Sequence, residues 1–88
     1  MTRREAVITN TLGLHARAAA RFVELAGRFA AQVRVSAGSR TVDGKSILGL
    51  LLLVAARGTT ITIQADGEQE AAAVEALVSL VERGFDEP

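Results

Sequence analysis

Hydrophobic and polar positions divide the chain into strands of period two and helices of period near four. Thr60-Ile61-Thr62-Ile63-Gln64-Ala65 alternates most clearly, with Ile61, Ile63 and Ala65 on one face. Gln32-Val33-Arg34-Val35-Ser36-Ala37 alternates likewise, Gly38-Ser39 marks a hairpin turn, and Arg40-Thr41-Val42 returns antiparallel to it. Glu5-Ala6-Val7-Ile8-Thr9 is a further short β-prone run. In the first helix Ala19, Phe22, Val23, Ala26 and Phe29 recur at helical spacing, opposite Arg17, Arg21, Glu24 and Arg28. In the last, Val74, Leu77, Val78 and Val81 form the apolar face, Glu70, Glu75 and Glu82 are exposed, and Gly84 is the stop. Between them a short helix opens at Ser46, whose hydroxyl is suited to cap a first-turn N–H. Ile47, Leu48, Leu50, Leu51, Leu52, Leu53 and Val54 cannot all point inward from an element of about two turns. Ile47 and Leu48, nearest the loop, are therefore expected in an exposed docking patch.

The order strand, helix, two strands, helix, strand, helix predicts an α+β two-layer domain, because an all-parallel sheet would need a helical crossover between every pair of strands. The 88 residues, 49% of them hydrophobic, predict a single domain over residues 1–88. A chain without cysteine and with one histidine offers neither a disulfide framework nor a zinc centre, so no metal or cofactor is expected. Met1-Thr2-Arg3-Arg4-Glu5 lacks the apolar run of a secretory signal, and Ile47–Ala56 falls short of the roughly 20 residues that span a bilayer. The expected location is the cytoplasm, without membrane insertion, and the default state is a monomer. Charge is segregated: residues 1–44 hold seven arginines against Glu5, Glu24 and Asp43, and the remainder holds three basic residues against seven acidic ones. The basic half lacks the aromatic platforms of single-strand binders, so an acidic protein partner fits better than nucleic acid.

The chemistry concentrates at Asn10-Thr11-Leu12-Gly13-Leu14-His15-Ala16-Arg17-Ala18-Ala19-Ala20. His15 stands where a glycine-containing loop gives way to helical sequence, beside the unpaired N–H groups of a helix start. That position favours an anion, and the Arg17 guanidinium adds a planar fork of donors. A lone histidine here is ordinarily a cap or a surface residue. Its neutral form, however, also carries a lone pair for nucleophilic attack, and nothing marks a serine or carboxylate for it to activate. His15 would itself be the nucleophile.

Asp43-Gly44-Lys45-Ser46 invites comparison with a phosphate-binding P-loop, which requires a glycine five residues before the Gly-Lys pair. Ser39 occupies that position, and the preceding hairpin is the wrong context. A nucleotide site is set aside.

Gly13-Leu14-His15-Ala16-Arg17 followed by alanines, with Lys45-Ser46 and an apolar short helix further on, resembles the HPr family, the histidine-containing phosphocarriers of the bacterial phosphotransferase system. The resemblance covers nearly the whole chain as one HPr-like domain. It implies an open-faced β-sandwich, a four-stranded antiparallel sheet covered on one side by three helices. It implies that His15 accepts a phosphoryl group on Nδ1 from the phosphoenolpyruvate-dependent enzyme I and passes it to a histidine of an enzyme IIA component, for sugar uptake or regulation. Such a protein is a carrier and not an enzyme. Arg17 and the backbone N–H groups of Ala16 and Arg17 would hold the phosphate; Leu14, Arg21, Ile47, Leu48 and Leu51 would dock partners. In some branches a serine kinase modifies the serine that matches Ser46. Gly84-Phe85-Asp86-Glu87 and the Asp43–Ile47 loop resemble the nitrogen-related, regulatory branch. The family usually has proline where this chain has Ala18. Transfer should survive that change, and Ala18→Pro should stabilise the domain modestly, read as a higher melting temperature.

Two other readings compete. A non-phosphorylated interaction module of the same fold would bind partners through this face without needing His15 and Arg17. A small hydrolase using His15 as base would need a nucleophile and an oxyanion site that the sequence does not display.

Overall fold

The computed structural model describes residues 1–87, and Pro88 lies outside the described residues. Four strands, β1 (Thr2–Val7), β2 (Gln32–Ala37), β3 (Arg40–Asp43) and β4 (Thr60–Asp66), form one antiparallel sheet in the order β1-β4-β2-β3. Helices α1 (Ala16–Ala26), α2 (Ile47–Leu52) and α3 (Glu70–Glu82) accompany it. The architecture is the expected open-faced sandwich. Val33, Val35, Ile61, Ile63 and Ala65 alternate into the core, where they meet Phe22, Leu50, Val74, Leu77, Val78 and Val81. Arg34, Ser36, Thr62 and Gln64 alternate onto the uncovered face.

The first strand begins and ends earlier than its own side chains indicate. Glu5–Thr9 was the β-prone run, yet pairing with β4 starts at Thr2↔Ala65 and ends at Val7↔Thr60. β4 decides this: its full length offers backbone partners to Arg3 and Arg4, which need no apolar signal on an edge strand. Ile8 continues by exchanging bonds with Thr59 and Gly58, and Thr9 lies outside the strand. Likewise α1 stops at Gly27, so Phe29 packs half-buried from a turn and not from the helix.

The start of α2 follows capping chemistry. Ser46 Oγ accepts from Gly49 N–H at 3.0 Å, and Asp43 Oδ1 takes the Lys45 N–H at 2.9 Å, which accounts for the loop that mimicked a nucleotide motif. A Cβ on Gly44 would lie 2.5 Å from Val33 Cγ1, so that glycine serves close packing. Ala18 is fully buried, and among the described residues its N–H has no partner, as expected in a first turn.

Candidate functional site

The loop before α1 is fixed at both sides. Gly13 has φ +66°, and a Cβ there would lie 2.6 Å from Ala55 O and 3.0 Å from Ala56 Cα. Only glycine combines that dihedral with that approach. Leu14 N–H then donates to Ala55 O at 2.9 Å, and the buried Asn10 amide donates through Nδ2 to Gly13 O at 2.7 Å. The segment after α2 thereby sets where His15 begins the helix.

His15 is the N-cap of α1, extended at φ −83° and ψ −179°. Its Nδ1 accepts a long bond, 3.3 Å, from Arg17 N–H, and its Nε2 lies 2.6 Å from Glu87 Oε2. A backbone N–H can only donate, so Nδ1 carries the lone pair; the neutral ring then holds its proton on Nε2, toward the carboxylate. The cap and the nucleophile are one group: the lone pair that caps the helix is the one available for attack. Ala16 N–H has no hydrogen-bond partner among the described residues, and the exposed Arg17 side chain has none either. Beside Nδ1 stand unspent donors and one free guanidinium, an arrangement that accepts an anion of phosphate size. The ring is 24% exposed, open enough for a partner to reach.

Two site residues escaped the sequence reading. Glu87 Oε1 accepts from Asn10 Nδ2 at 2.7 Å while Oε2 meets His15, and the Glu87 side chain is only 11% exposed. Burial alone would push this carboxyl up; the hydrogen bonds from Asn10 and His15 and the positive charge of Arg21 outweigh it and hold the group below its ordinary value. What brings Glu87 here is a tight turn after α3. Gly84, Phe85 and Asp86 all have positive φ, +67°, +58° and +59°, and Phe85 is buried in the core. Arg83 pairs with Asp86 at 2.9 Å across the turn. The available signal was Phe85, an isolated aromatic just beyond a helix stop, which needs a core to enter.

The structure sorts the expected docking residues. Ile47 and Leu48 are exposed, 42% and 68%, and Leu12, Leu52 and Val54 extend the exposed apolar surface of these loops. Leu51 is half-buried against the core. Leu14 is a correction: at 6% exposure its side chain completes the core under the loop and offers nothing to a partner. Arg21 is half-buried and donates to Phe85 O, so its guanidinium fastens the terminal turn. Ser46 lies at the start of α2 with its hydroxyl engaged in the cap.

Comparison with known proteins agrees with this geometry. The family model for the PTS HPr component phosphorylation site matches residues 2–83. The chain is 51% identical over 88 residues to the phosphocarrier protein HPr of Pseudomonas putida, covering 99% of this chain and 98% of the relative. It is 42% identical over 84 residues to the phosphocarrier protein NPr of Shewanella violacea, covering 96% and 92%. A crystal structure of an HPr from Thermoanaerobacter tengcongensis superimposes with a TM-score of 0.95 at 39% identity, covering 100% of this chain and 99% of that one. No helix among the described residues is long and apolar enough to cross a membrane. A histidine lone pair at a helix start, on this fold and with these relatives, places the chain in the HPr family of phosphocarrier proteins of the phosphotransferase system.

Proposed function

We propose that His15 is the phosphoryl acceptor through Nδ1, with enzyme I as donor and an enzyme IIA component as recipient. The observation that carries this reading is the Nδ1 lone pair turned toward the α1 start, where the Ala16 and Arg17 N–H groups and the Arg17 guanidinium can hold the three phosphoryl oxygens. The Nδ1 pair forms the bond to phosphorus while the donor's bond breaks and its electrons leave with the donor; delivery runs the same step in reverse. A loose transition state of this kind asks for position and charge more than for acid–base groups. The site is shallow and partly solvated, which suits a group that must be released again.

Docking falls to Ile47 and Leu48 with exposed Arg17, an apolar surface edged by positive charge that fits an acidic partner face. The carrier serves sugar uptake or regulation: relatives named HPr and one named NPr both match the chain, and Ser46 is the residue open to a serine kinase.

Incubation with phosphoenolpyruvate and a bacterial enzyme I, read by intact mass, tests the reading. One acid-labile phosphoryl group on the wild type and none on His15→Ala is the expected result. No addition with several enzyme I paralogues would favour the interaction module, which binds partners without being phosphorylated.

A further inference from the structure

The two ring nitrogens of His15 face different chemistry: Nδ1 looks to the helix start, and Nε2 meets a carboxylate that nothing in the transfer step described above requires. We infer that Glu87 is a positioning residue that keeps a proton on His15 Nε2 throughout the transfer cycle, so that His15 takes up and releases its phosphoryl group as neutral imidazole. The inference rests on the carrier reading.

The balance of the step shows what that proton does. When the Nδ1 pair bonds to phosphorus, the donor's electrons leave with the donor and the ring, still protonated at Nε2, becomes a phosphorylated imidazolium facing Glu87. On delivery the acceptor's pair bonds to phosphorus, the P–Nδ1 pair returns to the ring, and the Nε2–H imidazole is restored. Had Nε2 lost its proton in between, the same departure would release imidazolate, a far stronger base and a poorer leaving group. A carboxylate on the far nitrogen opposes that loss, as the buried acid of a hydrolase triad stabilises its imidazolium without taking the proton.

Among the described residues, the surroundings assign this task to Glu87. Glu87 from the terminal turn meets the ring, Arg21 from α1 lies near Glu87 and donates to Phe85 O, Arg17 follows His15 in α1 with its side chain exposed, and α2, Ile-Leu-Gly-Leu-Leu-Leu, contributes no charged group. Among the described residues, Glu87 is the one carboxylate within hydrogen-bond reach of the ring. Its place is also built. Asn10, 8% exposed, donates both amide hydrogens, one to Gly13 O and one to Glu87 Oε1, and leaves its own buried Oδ1 without a hydrogen-bond partner among the described residues. The amide is turned to serve the loop and the carboxylate at the expense of its acceptor. Buried Phe85 and the Arg21 bond to Phe85 O anchor the left-handed turn that delivers Glu87.

The test compares the full-length wild type with Glu87→Gln, which keeps the shape and removes the charge, after loading His15 by phosphoenolpyruvate and enzyme I or by phosphoramidate. Loss of the phosphoryl group to water is followed by phosphorus NMR across pH. The inference expects the rate to fall at high pH in both proteins, with the fall beginning about one pH unit lower in Glu87→Gln. An unmoved falling limb overturns it, and so does a uniform change at every pH, which would mean that Glu87 only supports the loop. Ring nitrogen NMR of the unphosphorylated protein is a second readout that needs no partner. The wild type should show the Nε2–H tautomer and Glu87→Ala a mixture; the same balance in both overturns the positioning role. A wild type that takes up no phosphoryl group, with the tautomers as expected, would instead sink the carrier reading.

Discussion

Val54 is a branched residue in a conformation that branched residues avoid, and replacing it should stabilise the protein. It follows the C-terminal residue of the α2 cap, Leu53, and has φ +52°. Helices commonly end at this position on glycine, whereas a β-branched side chain crowds its own backbone there. A non-glycine residue held in the left-handed region costs about 1–3 kcal/mol. Val54 recovers little of this by packing, since it is 78% exposed. Val54→Gly removes the strain and adds about 0.5–1 kcal/mol of backbone entropy to be lost on folding. The net expectation is a gain of about 1 kcal/mol, which in a domain of this size raises the melting temperature by roughly 4–8 °C. Urea unfolding checks it directly: the midpoint should rise by about 0.5–1 M with an unchanged slope. Val54→Asn, which tolerates left-handed backbone, should move the same way by less. Midpoints at or below wild type in both variants would refute the strain argument.

Gly13→Ala should cost about 1–3 kcal/mol through backbone strain, with a further loss of phosphoryl uptake, because the new methyl meets Ala55 O at 2.6 Å. Gly38→Ala has a similar φ, +59°, but nothing within 4 Å, so it should melt lower while uptake stays intact. Ser46→Ala removes the cap on Gly49 N–H and should lower stability by about 1 kcal/mol in thermal melts, whereas Ser46→Asp retains an acceptor and should melt near wild type. The Glu70 carboxyl is held down to about 2, first by the N-terminal amine, then by the Thr2 hydroxyl and the Gly67 N–H. A carboxyl more acidic in the folded state than its unfolded value of about 4.3 contributes stability that is present above that pH and lost as pH falls toward about 2. Acid titration of stability should therefore be shallower in that window for Glu70→Gln, and the difference should shrink in high salt.

Elements whose own side chains alternate or recur were legible in the sequence. β4, β2 and the apolar faces of α1 and α3 fall where period placed them, because burial on one face is what produces the period. β1 was displaced because an edge strand is defined by its partner's backbone, which leaves no mark on Arg3 and Arg4. The site divides the same way. His15, Ala16 and Arg17 are local to one loop and one helix start, and were readable as such. Glu87 and Asn10 meet across 77 positions of sequence, through a turn whose dihedrals are unusual for Phe85 and Asp86. No propensity anticipates that turn, since the buried Phe85 side chain is what holds the backbone there. Leu14 was misplaced for a related reason: proximity to His15 in sequence says nothing of which side of the loop its side chain takes.

The sheet's bare face makes the molecule two-sided, and this matters to anyone who wishes to watch it work. Arg34, Ser36, Thr62 and Gln64 point away from the helices, and exposed Thr41 lies beside Ser36 in the same row. The chain has no cysteine, so Thr41→Cys would supply a single thiol for a fluorophore or a sensor surface. Anchored there, the domain would present α1, α2 and the His15 loop outward, and partner exchange could be followed in real time without a tag near Glu87.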